Sequence, residues 1–144
     1  MHDMQVEHRI RTQATPEMVF RIYEDVDRWH TWDPDTRQAS LDGPLLPGAR
    51  GQLIPTRGRA VPMVVTEVVP GRSFTVESRI PLFRMVFEHE LQPGPDGTQV
   101  THRVRFYGLL SVLLGPMLIR QLNSGLPVTL ARLRDLAESG STTR

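Results

Sequence analysis

The sequence predicts an α+β fold in which an antiparallel sheet packs against one long C-terminal helix, and three observations predict it. Residues 5–14 alternate between apolar and polar side chains, the two-residue period of a strand with one wet face. Beyond Thr36, Gly and Pro punctuate the chain at intervals of roughly 8–12 residues, the spacing of a strand meander. Further on, Leu110, Leu114, Leu118, Leu122, Leu126, Leu130, Leu133 and Ala137 recur at spacings of four and three, which line one face of a helix.

Taken in order, the first strand places Val6, His8, Ile10 and Thr12 on one face and Glu7, Arg9, Arg11 and Gln13 on the other. Thr15-Pro16-Glu17 opens a helix, with Thr15 as N-cap and Pro16 at the first helical position, where its missing N–H costs nothing. Val19, Phe20 and Tyr23 supply its buried side. Two Asp-rich segments, 25–27 and 32–35, bracket a second short helix that carries Trp29 and ends at Pro34. Six strands follow at 36–41, 49–56, 63–69, 73–80, 84–92 and 98–107, which with the first makes seven. Turn signals at Asp42-Gly43-Pro44, Arg57-Gly58, Pro70-Gly71, Pro81 and Pro93-Gly94-Pro95-Asp96-Gly97 separate them. The last helix, 109–138, is interrupted at Gly115-Pro116 and again at Gly125 and Pro127. A kinked or segmented helix is expected, with the kink or break within a turn of Pro127. Such a helix after such a sheet buries its stripe on the sheet in a two-layer arrangement.

A chain of 144 residues suits one domain, with a core at about 5–138 and a frayed tail at 139–144. The formal charge is only +1 and the arginines are spread along the chain, which argues against nucleic-acid binding. With no Cys, disulfides, thiolate metal sites and a cysteine nucleophile are excluded. The first residues lack a secretory pattern, and the longest nearly apolar stretch, 109–119, is shorter than the roughly 20 residues that span a bilayer. A cytoplasmic location is expected. No cofactor-attachment or lipidation motif is present and no cofactor is expected, while the oligomeric state stays open.

Several segments in this order resemble the START-like (SRPBCC, helix-grip) superfamily. They are Ala14-Thr15-Pro16-Glu17-Met18-Val19-Phe20, the pair Trp29 and Trp32 before Pro34, and Val65-Thr66-Glu67-Val68-Val69-Pro70-Gly71-Arg72. Glu88-His89-Glu90-Leu91, Gly97-Thr98, Val100-Thr101-His102 and Leu122-Asn123-Ser124-Gly125-Leu126-Pro127 complete the set. That superfamily includes polyketide cyclases and dehydratases, relatives of plant pollen allergens and lipid-transfer domains, and the bacterial polyketide cyclase/dehydratase-like branch looks most similar. The resemblance spans Val6 to Glu138. It implies a seven-stranded sheet curled around the last helix, with a cavity between them.

Three histidines fall on the apolar phase of their strands: His8 with Val6 and Ile10, His89 with Met85, Phe87 and Leu91, and His102 with Val100, Val104 and Phe106. If the hairpin through residues 93–97 pairs Leu91 with Val100, His89 lies directly opposite His102. Such rings can anchor a ligand oxygen or move a proton. Equally, each can be a core histidine satisfied by a carbonyl, a tyrosine or a water. Without an inward carboxylate at ligand spacing, or an HExxH motif, they do not form a metal site.

The candidate ligand-binding set is His8, Trp29, Trp32, Met85, Phe87, His89, His102, Val104, Phe106, Met117 and Gln121, with His89 and His102 as catalytic candidates. Trp29 and Trp32 either roof the pocket entrance or close the core. Asp33 and Asp35 read as turn and cap residues, and Glu88 and Glu90 lie on the phase opposite to His89.

The leading functional reading is the binding of a small apolar molecule (a lipid, quinone, isoprenoid or polyketide-like compound) between sheet and helix. One alternative is a polyketide cyclase/dehydratase-type enzyme that uses the pocket histidines. The other is a protein-interaction or chaperone-regulating module, which calls for an exposed apolar patch around 109–119.

Overall fold

The computed structural model describes residues 4–142. The alternating N-terminal segment forms β1 (Met4–Thr12), and Thr15 caps α1 (Pro16–Glu24) by accepting a hydrogen bond from the Met18 amide at 3.2 Å. The second short helix is a single 3-10 stretch, Val26–Thr31. Then come β2 (Thr36–Leu41), β3 (Arg50–Pro55), β4 (Val61–Val69), β5 (Ser73–Ile80), β6 (Phe83–Gly94), β7 (Gly97–Tyr107) and α2 (Ser111–Thr142). All seven strands join one antiparallel sheet in the order β1-β7-β6-β5-β4-β3-β2, so the first and last strands pair at one side of the sheet, with β1 and β2 as its edges. Bulges between Thr36 and Gln38 and between Val65 and Glu67 break the pairing register.

Helix α2 lies over β1 and β7, the 3-10 stretch packs on β2, and α1 packs against α2 and β6. The inner face carries two apolar clusters. One gathers α1, the two tryptophans, β2 to β5 and the end of α2, with Tyr23, Phe74, Leu130 and Leu133 at its centre. The other gathers Val6, Phe83, Val104 and Phe106 beneath the first half of α2, through Leu114, Leu118, Leu122 and Leu126. The outer face carries charge: Arg103 binds Glu7 at 2.7 Å and also pairs with Glu88 and Glu90, which places both of these glutamates away from the core.

The expected break at Pro127 is not found. Helix α2 is continuous from Ser111 to Thr142, through both prolines and past residue 138, where a frayed tail was expected. Residues 143–144 lie outside the described residues. A helix-interior proline costs about 3 kcal/mol. Leu126, Leu130 and Leu133 are buried on either side of Pro127, and burial of one such side chain contributes about 1.5–3 kcal/mol, so packing outweighs the lost bond. The glycine nearby has a separate cause. A Cβ at Gly125 would sit 2.6 Å from Asp35 Oδ2, so glycine lets the 32–35 turn close on the helix. Asp33 fastens that turn by accepting hydrogen bonds from Thr36 Oγ1 (2.8 Å), the Asp35 amide (3.1 Å) and Thr129 Oγ1 (3.3 Å).

Because Pro127 is exposed and removes a donor from an otherwise continuous helix, Pro127→Ala is expected to stabilise the fold by about 2 kcal/mol, after allowance for the freer unfolded chain. Urea unfolding measures this, and an unchanged midpoint would show that the helix already accommodates the proline without loss.

Candidate functional site

The register puts three histidines in one row across three strands. His8 of β1 opposes His102 of β7, and His102 opposes His89 of β6, as the predicted pairing of Leu91 with Val100 requires. On the next strand Phe74 of β5 opposes His89. The row forms a polar tier between the two apolar clusters of the inner face.

Each imidazole has a distinct partner. His102 is buried, and its Nε2 lies 2.8 Å from Oη of the fully buried Tyr23. Burial and then the neighbouring His89 hold His102 well below the ordinary imidazole pKa, and burial pushes the Tyr23 phenol up, so both are neutral near pH 7. His89 donates from Nδ1 to the Phe74 carbonyl at 3.2 Å, since a carbonyl only accepts. That fixes the neutral tautomer with the lone pair on Nε2. Burial drives His89 down to about 4, opposed by the same hydrogen bond. Its ring stacks on Phe74 at 3.9 Å and meets His102 edge-on at 4.7 Å. At the sheet edge, His8 Nε2 is 2.8 Å from Asn123 Oδ1 of α2.

Two polar atoms near this tier have no hydrogen-bond partner among the described residues. Trp32 Nε1 is a buried donor, on a ring that contacts both Tyr23 and His102. His89 Nε2 is an acceptor, on a residue that is half-buried. Met85 and Phe87, on the same inward phase of β6, are also only half-buried, as are Leu118, Ile119 and Leu122 of α2. An unpaired buried donor costs about 1–3 kcal/mol, which a ligand oxygen could offset. A separate surface cleft of about 370 Å³ lies between α1, the 3-10 stretch and the end of α2. It is lined by Met18, Arg21, Asp25, Arg28 and Leu136, and contains none of the histidines.

Residues 2–138 match the family described as polyketide cyclase / dehydrase and lipid transport. The chain belongs to that family. Curated protein sequences gave no match. Among solved structures, the di-domain ARO/CYC StfQ of the steffimycin biosynthetic pathway is similar with a TM-score of 0.79 and 13% identity, covering 98% of this chain and 52% of that one. Protein NE0264 from Nitrosomonas europaea gives a TM-score of 0.77 and 15% identity over 95% of this chain and 96% of that one. Ara h 8.0201 gives 0.75 and 12% over 96% and 99%. At such identities these likenesses show the fold alone, which is the helix-grip arrangement expected from the sequence.

The structure brings together His8, His89 and His102, and below them Met85, Phe87, Val104 and Phe106. It buries Trp29 and Trp32 in the upper cluster, where Trp29 Nε1 donates to the Tyr23 carbonyl at 2.9 Å, so they close the core rather than roof an entrance. Met117 and Gln121 stand apart. Both are exposed, Met117 at 51%, because the stripe that meets the sheet runs through Leu114, Leu118 and Leu122 instead. Sequence reasoning missed Tyr23 and Asn123 as histidine partners. For Tyr23 a signal existed, since a tyrosine on the buried phase of a helix needs a partner for its hydroxyl. For Asn123 there was none, because its bond to His8 depends on how α2 lies across β1. Among the described residues no cluster of three His, Asp or Glu could hold a metal ion, and no helix is long and apolar enough to cross a membrane.

Proposed function

We propose that this chain binds a small apolar molecule with one oxygen-bearing end (a lipid, quinone, isoprenoid or polyketide-like compound) between β6, β7 and α2. The observation that carries this reading is the polar tier on an apolar wall, where Trp32 Nε1 and His89 Nε2 lack partners. The apolar body of the ligand would lie along Met85, Phe87, Val104 and Phe106, and a carbonyl or hydroxyl would reach the tier. The family description, which names both lipid transport and polyketide chemistry, supports the substrate class.

A cyclase/dehydratase activity is the second reading, and the Tyr23–His102 contact favours it as a proton-bearing pair. Binding is preferred on a magnitude. A base held at about 4, as His89 is, accepts protons poorly at neutral pH and serves better as a neutral hydrogen-bond acceptor. Native mass spectrometry of the purified protein tests the proposal. An apolar ligand is expected to copurify, and to be depleted in His89→Phe while a folded spectrum is kept. A parent protein that carries no ligand, and takes none up from a lipid extract, would count against it.

A further inference from the structure

One end of the molecule presents an apolar surface that the ligand tier does not use. At the start of α2, Leu109, Val112 and Leu113 are 75–78% exposed, and Met117 continues the same face. Their helical partners Leu110, Leu114 and Leu118 pack on the sheet, so this part of α2 is apolar on both sides. The β5–β6 turn lies beside it: the Leu110 amide donates to the Leu82 carbonyl at 3.0 Å. Leu82 is 60% exposed and has φ 64°, a left-handed conformation that glycine or asparagine adopts without strain. Evolution of a stable turn alone favours neither a leucine nor its exposure there.

The charges beside this surface are mostly basic. Residues 108–120, which lead into and form the first turns of α2, contain Arg120 and no carboxylate. Arg120 shares the exposed helix face of Leu113 and Met117 by its spacing. Beside Leu82 stand Arg79 and Arg84, the latter with its guanidinium 4.4 Å above the Tyr107 ring. Among the described residues only Glu77 comes within ion-pair distance of those two, at 3.7–3.8 Å, and the first turn of α2 has no acidic residue. A second copy meeting this patch across a two-fold axis would bring arginine against arginine. An anionic lipid surface complements it, with the leucines entering the acyl boundary and the arginines at the headgroups.

We propose that the start of α2 and the Leu82 turn form a docking surface for anionic phospholipid bilayers. The proposal goes beyond the ligand-binding reading and does not depend on it, because docking is measured without a ligand. The test is cosedimentation of the full chain with phosphatidylcholine vesicles, with and without phosphatidylglycerol. Binding is expected only with phosphatidylglycerol and should weaken with salt. Leu113→Asp should weaken it at least about tenfold. Arg79→Gln and Arg120→Gln should each weaken it about fivefold. Leu82→Gly separates function from folding: it relieves the left-handed strain, so thermal stability should hold or rise while vesicle binding falls. No binding at low salt, equal binding to neutral vesicles, or unchanged binding by Leu113→Asp and Leu82→Gly would overturn the proposal. So would a dimer in light scattering that Leu113→Asp dissolves, which would give the patch to a second copy.

Discussion

Acid should begin to destabilise this protein below about pH 6.5, before its carboxylates titrate. His89 is neutral in the folded chain with its pKa pushed to about 4, and His102 is also held well below its ordinary value, whereas both return to about 6.5 on unfolding. Between these limits the unfolded state binds more protons, so stability rises with pH. The contribution is fully present above about 6.5 and is lost as pH falls toward 4. Moving one imidazole from 6.5 to about 4 corresponds to about 3 kcal/mol, a large part of the roughly 5–15 kcal/mol of a typical domain. Glu7, lowered first by its hydrogen bond to Arg103, adds a loss of the same sign only below the ordinary carboxylate value near 4.5. Urea unfolding at a series of pH values from 7.5 down to 4.5 should therefore show a falling free energy, with a flatter profile in His89→Phe. A flat profile in the parent would mean that the histidines are solvated or charged in the folded state.

Gly97→Ala is expected to be among the most damaging single-methyl changes. Gly97 opens β7 with φ 138°, and a Cβ there would stand 2.0 Å from the Thr12 carbonyl oxygen of β1. Strained backbone costs about 1–3 kcal/mol and overpacking about the same again, so a loss of about 3–5 kcal/mol is expected. The obstacle is backbone held by neighbours. Thr12 pairs with Thr98, Thr98 Oγ1 donates to the Ala14 carbonyl at 2.8 Å, and Glu138 of α2 accepts from Thr12 Oγ1 and the Gln13 amide. The same hairpin, closed by Gly94 opposite Gly97, sets His89 opposite His102. Thermal unfolding followed by near-ultraviolet circular dichroism checks both stability and the aromatic tier; a parent-like midpoint would contradict the crowding.

The fold was legible because strand period, turn residues and helix stripe all agreed, from the alternation of β1 to the leucines of α2. The histidine row was legible for a narrower reason. A strand's period fixes the face, and the structure adopts the pairing of Leu91 with Val100 rather than one shifted by two, which would keep the same face but set the histidines diagonally. What sequence could not give was the depth of each side chain. Trp29 and Trp32 look equally suited to a rim or a core, and the position of α1 decides. Met117 and Gln121 fell outside because a helix with apolar residues on both sides does not declare which side meets the sheet. Pro127 does not break α2 because local propensity, at about 3 kcal/mol, is smaller than the burial of the leucines around it.

The central claim is that the histidine tier anchors a ligand oxygen, and the most direct measurement uses the copurified ligand itself. Extracted from the parent and titrated calorimetrically into delipidated parent, His89→Phe and His102→Phe, it should bind each variant about 0.5–3 kcal/mol more weakly. His102→Phe should also lower stability by about 1–3 kcal/mol, because Tyr23 Oη then lacks its only hydrogen-bond partner among the described residues, whereas His89→Phe preserves the stack on Phe74. Equal affinity for parent and both variants, each shown to be folded, would contradict the anchor and leave the row as packed core.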